Sequence, residues 1–165
     1  MTKKQFITWP QLEGYCMEIA KQVMLSKWTP DIIVGITRGG AIPAVMLSQF
    51  LEVKMVGLDV SLRDSQNRPE TNCWLAEDAA AGRNILIVDD INDSGATINW
   101  IMDDWASSVA GLDRGIEWGY NVRVATIVDN DSSDAKLHPK YCGTTINKAN
   151  EDRWVVFPWE DFWKK

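Results

Sequence analysis

The apolar positions fall into alternating short runs and helically spaced stretches. Residues 31–36, Asp31-Ile32-Ile33-Val34-Gly35-Ile36, are a β-branched apolar run between Pro30 and Arg38-Gly39-Gly40, which predicts a buried strand ending in a loop. Over 41–51, Ile42, Val45, Met46 and Phe50 recur at helical spacing, and a second strand is expected over 54–60. Strand, helix, strand in this order implies a parallel crossover. Upstream, Thr8-Trp9-Pro10-Gln11 sets a Thr three residues before a Gln with Pro in the first turn, so a capping box opens a helix over 8–26. Downstream, 84–88 is a continuous apolar strand, 97–109 a helix, 122–128 another strand, and 154–159 a closing apolar and aromatic segment. Residues 61–72 are polar without a sustained apolar period and read as a mobile loop. The alternation predicts an α/β protein with an open, mainly parallel sheet flanked by helices.

Composition narrows the classes. At 165 residues with 45% hydrophobic content, one domain over 1–165 can bury a sufficient core. A net charge of −6 argues against a protein whose task is gripping a nucleic-acid backbone, which needs a dense Lys/Arg surface. Cys16, Cys73 and Cys142 are widely spaced and form no CxxC, so reduced thiols are expected rather than a disulfide framework or a zinc site. The first ten residues lack an apolar h-region and no run approaches a membrane span, so no membrane partner and a cytoplasmic location are expected.

In open α/β sheets ligands bind beyond the C-terminal ends of strands, which directs attention to 85–97. There a buried strand leads into Asp89-Asp90, then Asp93, then a Ser94-Gly95-Ala96-Thr97 turn at a helix start. Backbone N–H groups of such a turn, the helix dipole and the Ser94 and Thr97 hydroxyls suit a phosphate, while the carboxylates suit ribose hydroxyls and a hydrated Mg²⁺. Two rivals fail. Asp90, Asn92, Ser94 and Gly95 match the opening of an EF-hand loop, but Ile101 stands where a bidentate Glu is required. The run ending in Asp89-Asp90 also resembles a Walker B strand, yet no G-x-x-x-x-G-K-[ST] exists to hold a triphosphate.

The segment Ile85-Leu86-Ile87-Val88-Asp89-Asp90-Ile91-Asn92-Asp93-Ser94-Gly95-Ala96-Thr97 resembles the phosphoribosyl pyrophosphate (PRPP) motif of type I phosphoribosyltransferases. Gly35-Ile36-Thr37-Arg38-Gly39-Gly40 is similar to that family's pyrophosphate loop, and 154–160 to the tail of its xanthine-guanine branch, so the resemblance spans roughly 30–160. It implies the type I phosphoribosyltransferase fold with a small C-terminal hood over 129–160. It also implies Mg²⁺-dependent transfer of ribose 5-phosphate from PRPP to a nucleobase, in purine salvage when the base is a 6-oxopurine.

The resemblance further implies roles for individual residues. Arg38 and Gly39 would meet the pyrophosphate, with a non-proline cis peptide at or near Arg38-Gly39. Asp89 and Asp90 would hold ribose hydroxyls and metal waters. Asp93 would act as general base and, with Ser94, Gly95, Ala96 and Thr97, surround the 5′-phosphate. Ser61 would begin a loop, 61–72, that closes over the reaction, although Ser61-Leu62 departs from the family's Ser-Tyr. Trp154 would stack on the base and the Val155 backbone would read its edge. Purine enzymes of the family carry a Lys after the strand read here as 122–128, where this chain has Asp129-Asn130-Asp131. Asn130 can donate to a carbonyl in its place, and Lys136 and Lys148 are the other candidates. Two alternatives stand beside the salvage enzyme: a PRPP-binding regulator without turnover, and an enzyme for a non-purine base. Asp93 and the acidic surface favour the enzyme. Family analogy adds a homodimer or homotetramer, with Trp9, Trp28, Trp159 and Trp163 as candidate interface residues, and His138 is read as a surface loop residue.

Overall fold

The computed structural model describes residues 2–60 and 73–164; the Ser61 and 61–72 expectations lie outside them. The first helix, α1 (Trp9–Leu25), begins as its sequence predicts. The Thr8 side chain accepts the Gln11 backbone N–H at 3.3 Å, the Gln11 side chain accepts the Thr8 N–H at 2.9 Å, and Pro10 lies in the first turn. Leu12, Cys16, Ile19, Ala20 and Val23 form its buried stripe.

Five parallel strands make the main sheet in the order β3-β2-β4-β5-β6, comprising β2 (Ile32–Thr37), β3 (Met55–Asp59), β4 (Ile85–Asn92), β5 (Val122–Asn130) and β6 (Tyr141–Ile146). Helix α2 (Ala41–Leu51) joins β2 to β3, α3 (Cys73–Ala80) precedes β4, and α4 (Ala96–Ser108) follows it. One core lies between the sheet and α1 and α2, around Leu12, Ile19, Ile33, Leu47 and Leu86. A second lies between the opposite face and α3 and α4, around Leu75, Ile87, Ile101 and Trp105. Both faces are covered, which is why the strands read as unbroken apolar runs.

Strands β4 and β5 outrun their predicted ends. The apolar run stops at Val88, but the ladder continues through Asp89↔Thr126, Ile91↔Val128 and Asn92↔Asp129. The adjacent carboxylates therefore sit on the rigid end of a strand and not in a loop. A separate two-stranded parallel sheet pairs β1 (Lys3–Phe6) with β7 (Arg153–Val156), so both ends of the chain build the hood. Glu151 bridges them: hydrogen bonds from Arg153 and then Lys3 hold its carboxyl below the usual range. Residues 129–160 thus contribute β6 to the main sheet and β7 to the hood.

Burial also separates the thiols. Cys16 is buried in the α1 core, and desolvation pushes its pKa up to about 12, whereas Cys142 is partly exposed. Alkylation of the native protein in mildly alkaline buffer, mapped by peptide mass, is expected to label Cys142 and spare Cys16 until urea is added. Equal labelling of both in the native state would contradict this packing.

Candidate functional site

The strand order reverses between β2 and β4: the chain crosses from β2 to β3 on one side, and β4, β5 and β6 follow on the other. Loops leaving the ends of β2 and β4 diverge there and leave a crevice, the usual ligand position in open α/β sheets. A cleft of about 990 Å³ occupies that position. Thr37, Arg38 and Gly39 line it from β2, residues 89–97 from β4 and α4, and Trp154, Val155, Phe157 and Trp159 from the hood.

The turn at the start of α4 is built by Gly95, the N-cap of that helix. Its φ of +87° is a left-handed conformation that L side chains rarely adopt, and a Cβ there would stand 2.4 Å from the Ala135 backbone nitrogen. No side chain caps α4 from Gly95. Ser94 Oγ accepts the Ala96 N–H at 3.3 Å, and the Ser94 carbonyl accepts the Asp134 N–H at 3.1 Å, which ties the turn to the loop after β5. The helix start thus aims N–H dipoles into the cleft beside the Ser94 and Thr97 hydroxyls.

Opposite stands the turn after β2. The peptide bond between Thr37 and Arg38 is cis, adjacent to the Arg38-Gly39 bond at or near which the resemblance implies one. Exposed Arg38 lines the cleft, and Gly39 lies so close to β4 that a Cβ on it would be 2.0 Å from Asp90 Oδ2. This contact brings the Asp90 carboxylate and the Arg38 loop together. Asp89 Oδ1 accepts the Asp90 N–H at 2.9 Å and Asp90 Oδ1 accepts the Ile91 N–H at 2.7 Å, which orients both carboxylates at the cleft.

On the hood side, Trp154 is 47% exposed and lines the cleft, which distinguishes it from the core tryptophan Trp105. Val155 is buried in β7 and is also a lining residue of the cleft. Trp159, read from sequence as an interface residue, lines the cleft and stacks on Phe157 with ring centroids 4.9 Å apart. The structure therefore gathers Arg38, Gly39, Asp89, Asp90, Asp93, Ser94, Gly95, Ala96, Thr97, Trp154 and Val155 around one cleft. It does not bring Asn130 there. That residue is buried, and its amide is bonded to the Asp93 carbonyl and to the loop bearing Lys148. Lys148 enters the cleft instead, with Nζ 2.8 Å from Asp93 Oδ1. Lys136 pairs with Asp103 on α4. Thr126, on β5 beside Asp89, is a lining residue with no local sequence signal.

Fold and cleft define an open α/β protein with a binding crevice at its topological switch point, in the arrangement of the type I phosphoribosyltransferase fold. The family model described as phosphoribosyl transferase domain matches residues 3–161, and the chain belongs to that family. Xanthine phosphoribosyltransferase 1 of Saccharomyces cerevisiae is 23% identical over 191 residues, covering 96% of this chain and 90% of that protein. The hypoxanthine-guanine phosphoribosyltransferase of Schizosaccharomyces pombe is 26% identical, covering 94% and 88%. Among solved structures, a purine phosphoribosyltransferase from Pyrococcus horikoshii superposes with a TM-score of 0.68 at 25% identity, covering 98% of this chain and 96% of that one. No helix among the described residues is long and apolar enough to cross a membrane.

Proposed function

We propose that this protein transfers the 5-phosphoribosyl group of PRPP to a 6-oxopurine, releasing pyrophosphate, as a salvage enzyme. The observation that carries this reading is the convergence on one crevice of a phosphate turn, two strand-end carboxylates, an arginine loop and an exposed tryptophan. The names of the curated relatives, which specify xanthine, hypoxanthine and guanine, support the choice of base.

In this reading the 5′-phosphate sits on the Ser94-Gly95-Ala96-Thr97 turn, and the ribose hydroxyls face Asp89 and Asp90. The purine lies on the Trp154 face, with the Val155 backbone at its edge. The lone pair of N9 forms the new bond to C1 as the C1–O bond breaks and its electron pair leaves on pyrophosphate, while the N7 proton passes to the Asp93 carboxylate. Arg38 and the Gly39 backbone meet the charge that develops on the leaving group.

Mg²⁺ belongs to the same proposal. Among the described residues no cluster of three or more His, Cys, Asp or Glu side chains could hold a metal ion. The donor set is instead the pair Asp89 and Asp90, and that suits Mg²⁺, which binds through one or two carboxylates together with substrate phosphates. When bound, it neutralises charge on the pyrophosphate. Self-association completes the reading: Met17, Met24 and Leu25 of α1 and Val45 and Phe50 of α2 are exposed apolar side chains suited to a homodimer contact.

Pyrophosphate release, measured with PRPP, Mg²⁺ and one base at a time, tests the proposal. Turnover is expected with guanine, xanthine or hypoxanthine and to be far weaker with adenine, uracil or orotate. PRPP binding without turnover of any base would instead favour a regulator.

A further inference from the structure

We infer that Lys148, held in place by Asn130, is the residue that selects oxo over amino bases in this chain. The inference rests on the transfer reaction proposed above. It moves the base-reading cation from the end of β5, where the resembling enzymes carry a lysine, to the loop between β6 and β7.

Asn130 occupies the β5 position but is 5% exposed and already engaged at both ends of its amide. Nδ2 donates to the Asp93 carbonyl at 2.8 Å. Oδ1 accepts the Lys148 N–H at 3.0 Å, the Ser132 hydroxyl at 2.8 Å and the Ser132 N–H at 3.3 Å. Turning this amide toward a base would break its part-buried bonds to Asp93, Ser132 and Lys148 together, which costs more than one new hydrogen bond returns. Its geometry does something else: one side chain pins the backbones of both Asp93 and Lys148, residues 55 positions apart by their numbers (148 − 93). Asn130 is therefore a positioning residue.

The pair it pins is chemically specific. Lys148 Nζ lies 2.8 Å from Asp93 Oδ1, the two side chains are 18% and 27% exposed, and Lys148 is the one lysine lining the cleft among the described residues. A carboxylate only accepts and an ammonium only donates. The N7–H tautomer of a 6-oxopurine presents a donor, N7–H, beside an acceptor, O6, on the same edge, and so complements an acceptor and a donor held side by side. A 6-aminopurine presents an N–H₂ group where Lys148 needs an acceptor. Two donors then face each other in a partly desolvated site, and one hydrogen bond is forfeited. Asp93 keeps its role as proton acceptor for either base, and Lys148 distinguishes them.

The test is steady-state kinetics of Lys148→Met, Lys148→Gln and Asn130→Ala beside the wild type. Hypoxanthine and adenine are each used as substrate and as competitor, and KM for PRPP is followed in parallel. Lys148→Met is expected to raise KM for hypoxanthine and to cut the hypoxanthine-to-adenine ratio of kcat/KM about 100-fold, with KM for PRPP within about twofold of wild type. Lys148→Gln, which restores an N–H donor, is expected to recover part of the ratio. Asn130→Ala is expected to move the ratio in the same direction by a smaller factor. A Lys148→Met enzyme whose ratio stays within about twofold of wild type, or which loses both bases equally, overturns the inference while leaving the transfer reaction intact. A wild type that turns over no oxopurine overturns that reaction and the inference with it.

Discussion

Asp93→Asn is expected to lower kcat by about 10²–10⁴-fold, the usual contribution of a positioned general base, while the protein stays folded. The amide has nearly the same shape but cannot take the N7 proton. The scaffold survives because Asn130 bonds the backbone carbonyl of residue 93, which the substitution leaves in place. The ion pair with Lys148 is lost, but the Asn oxygen can still accept a hydrogen bond from Nζ, so only a modest loss of stability is expected. The expected result is thus a collapse in pyrophosphate release with a melting temperature within a few degrees of wild type. A kcat within tenfold of wild type would remove Asp93 from the proton-transfer step.

Gly40→Ala is expected to be strongly destabilising. Gly40 has an ordinary helical φ of −76°, so strain in its own backbone is not the reason. Space is. An added Cβ would lie 2.3 Å from the Val88 carbonyl oxygen, 2.8 Å from the Ile36 carbonyl oxygen and 2.9 Å from the Asp89 Cα. All three belong to the backbone of paired strands, and no flexible side chain can yield. We expect a loss of about 3 kcal/mol or more, or a fall of roughly 6–12 °C in melting temperature for a chain of this size. Because Gly40 separates the Arg38 loop from the Asp89 end of β4, KM for PRPP should rise in the same variant. Gly14→Ala is the control: it lies within α1 with nothing within 4 Å of the added Cβ, and should stabilise by about 0.5–1 kcal/mol. Equal melting temperatures for Gly40→Ala and wild type would show that the two strand ends are not packed as described.

Wherever local chemistry decides structure, the sequence alone determined the outcome. The Thr8-to-Gln11 capping box sets the start of α1 because both partners lie within one turn. The apolar runs of β2 and β4 announce strands buried on both faces, and the spacing from Asp89 to Thr97 carries the glycine turn at a helix start because Gly95 and the start of α4 are sequence neighbours. What pairing over distance decides was not legible. Lys3-Lys4-Gln5-Phe6 shows no strand pattern and becomes one only by aligning Lys3 with Arg153. The end of β6 carries Thr144, Thr145 and Ile146, and its strand identity comes from the ladder with β5. The carboxylates of Asp89 and Asp90 stand on a strand because that ladder continues past the apolar run. Above all, tertiary structure places Lys148, and neither Asn130 nor Lys136, in the cleft beside Asp93. The same amide that looks suited to read a base from its place at the end of β5 is consumed in joining two loops, and this holds a lysine of the loop between β6 and β7 beside Asp93. Hydrogen bonds between segments tens of residues apart leave no period, motif or spacing in the chain, so only the folded arrangement reveals them.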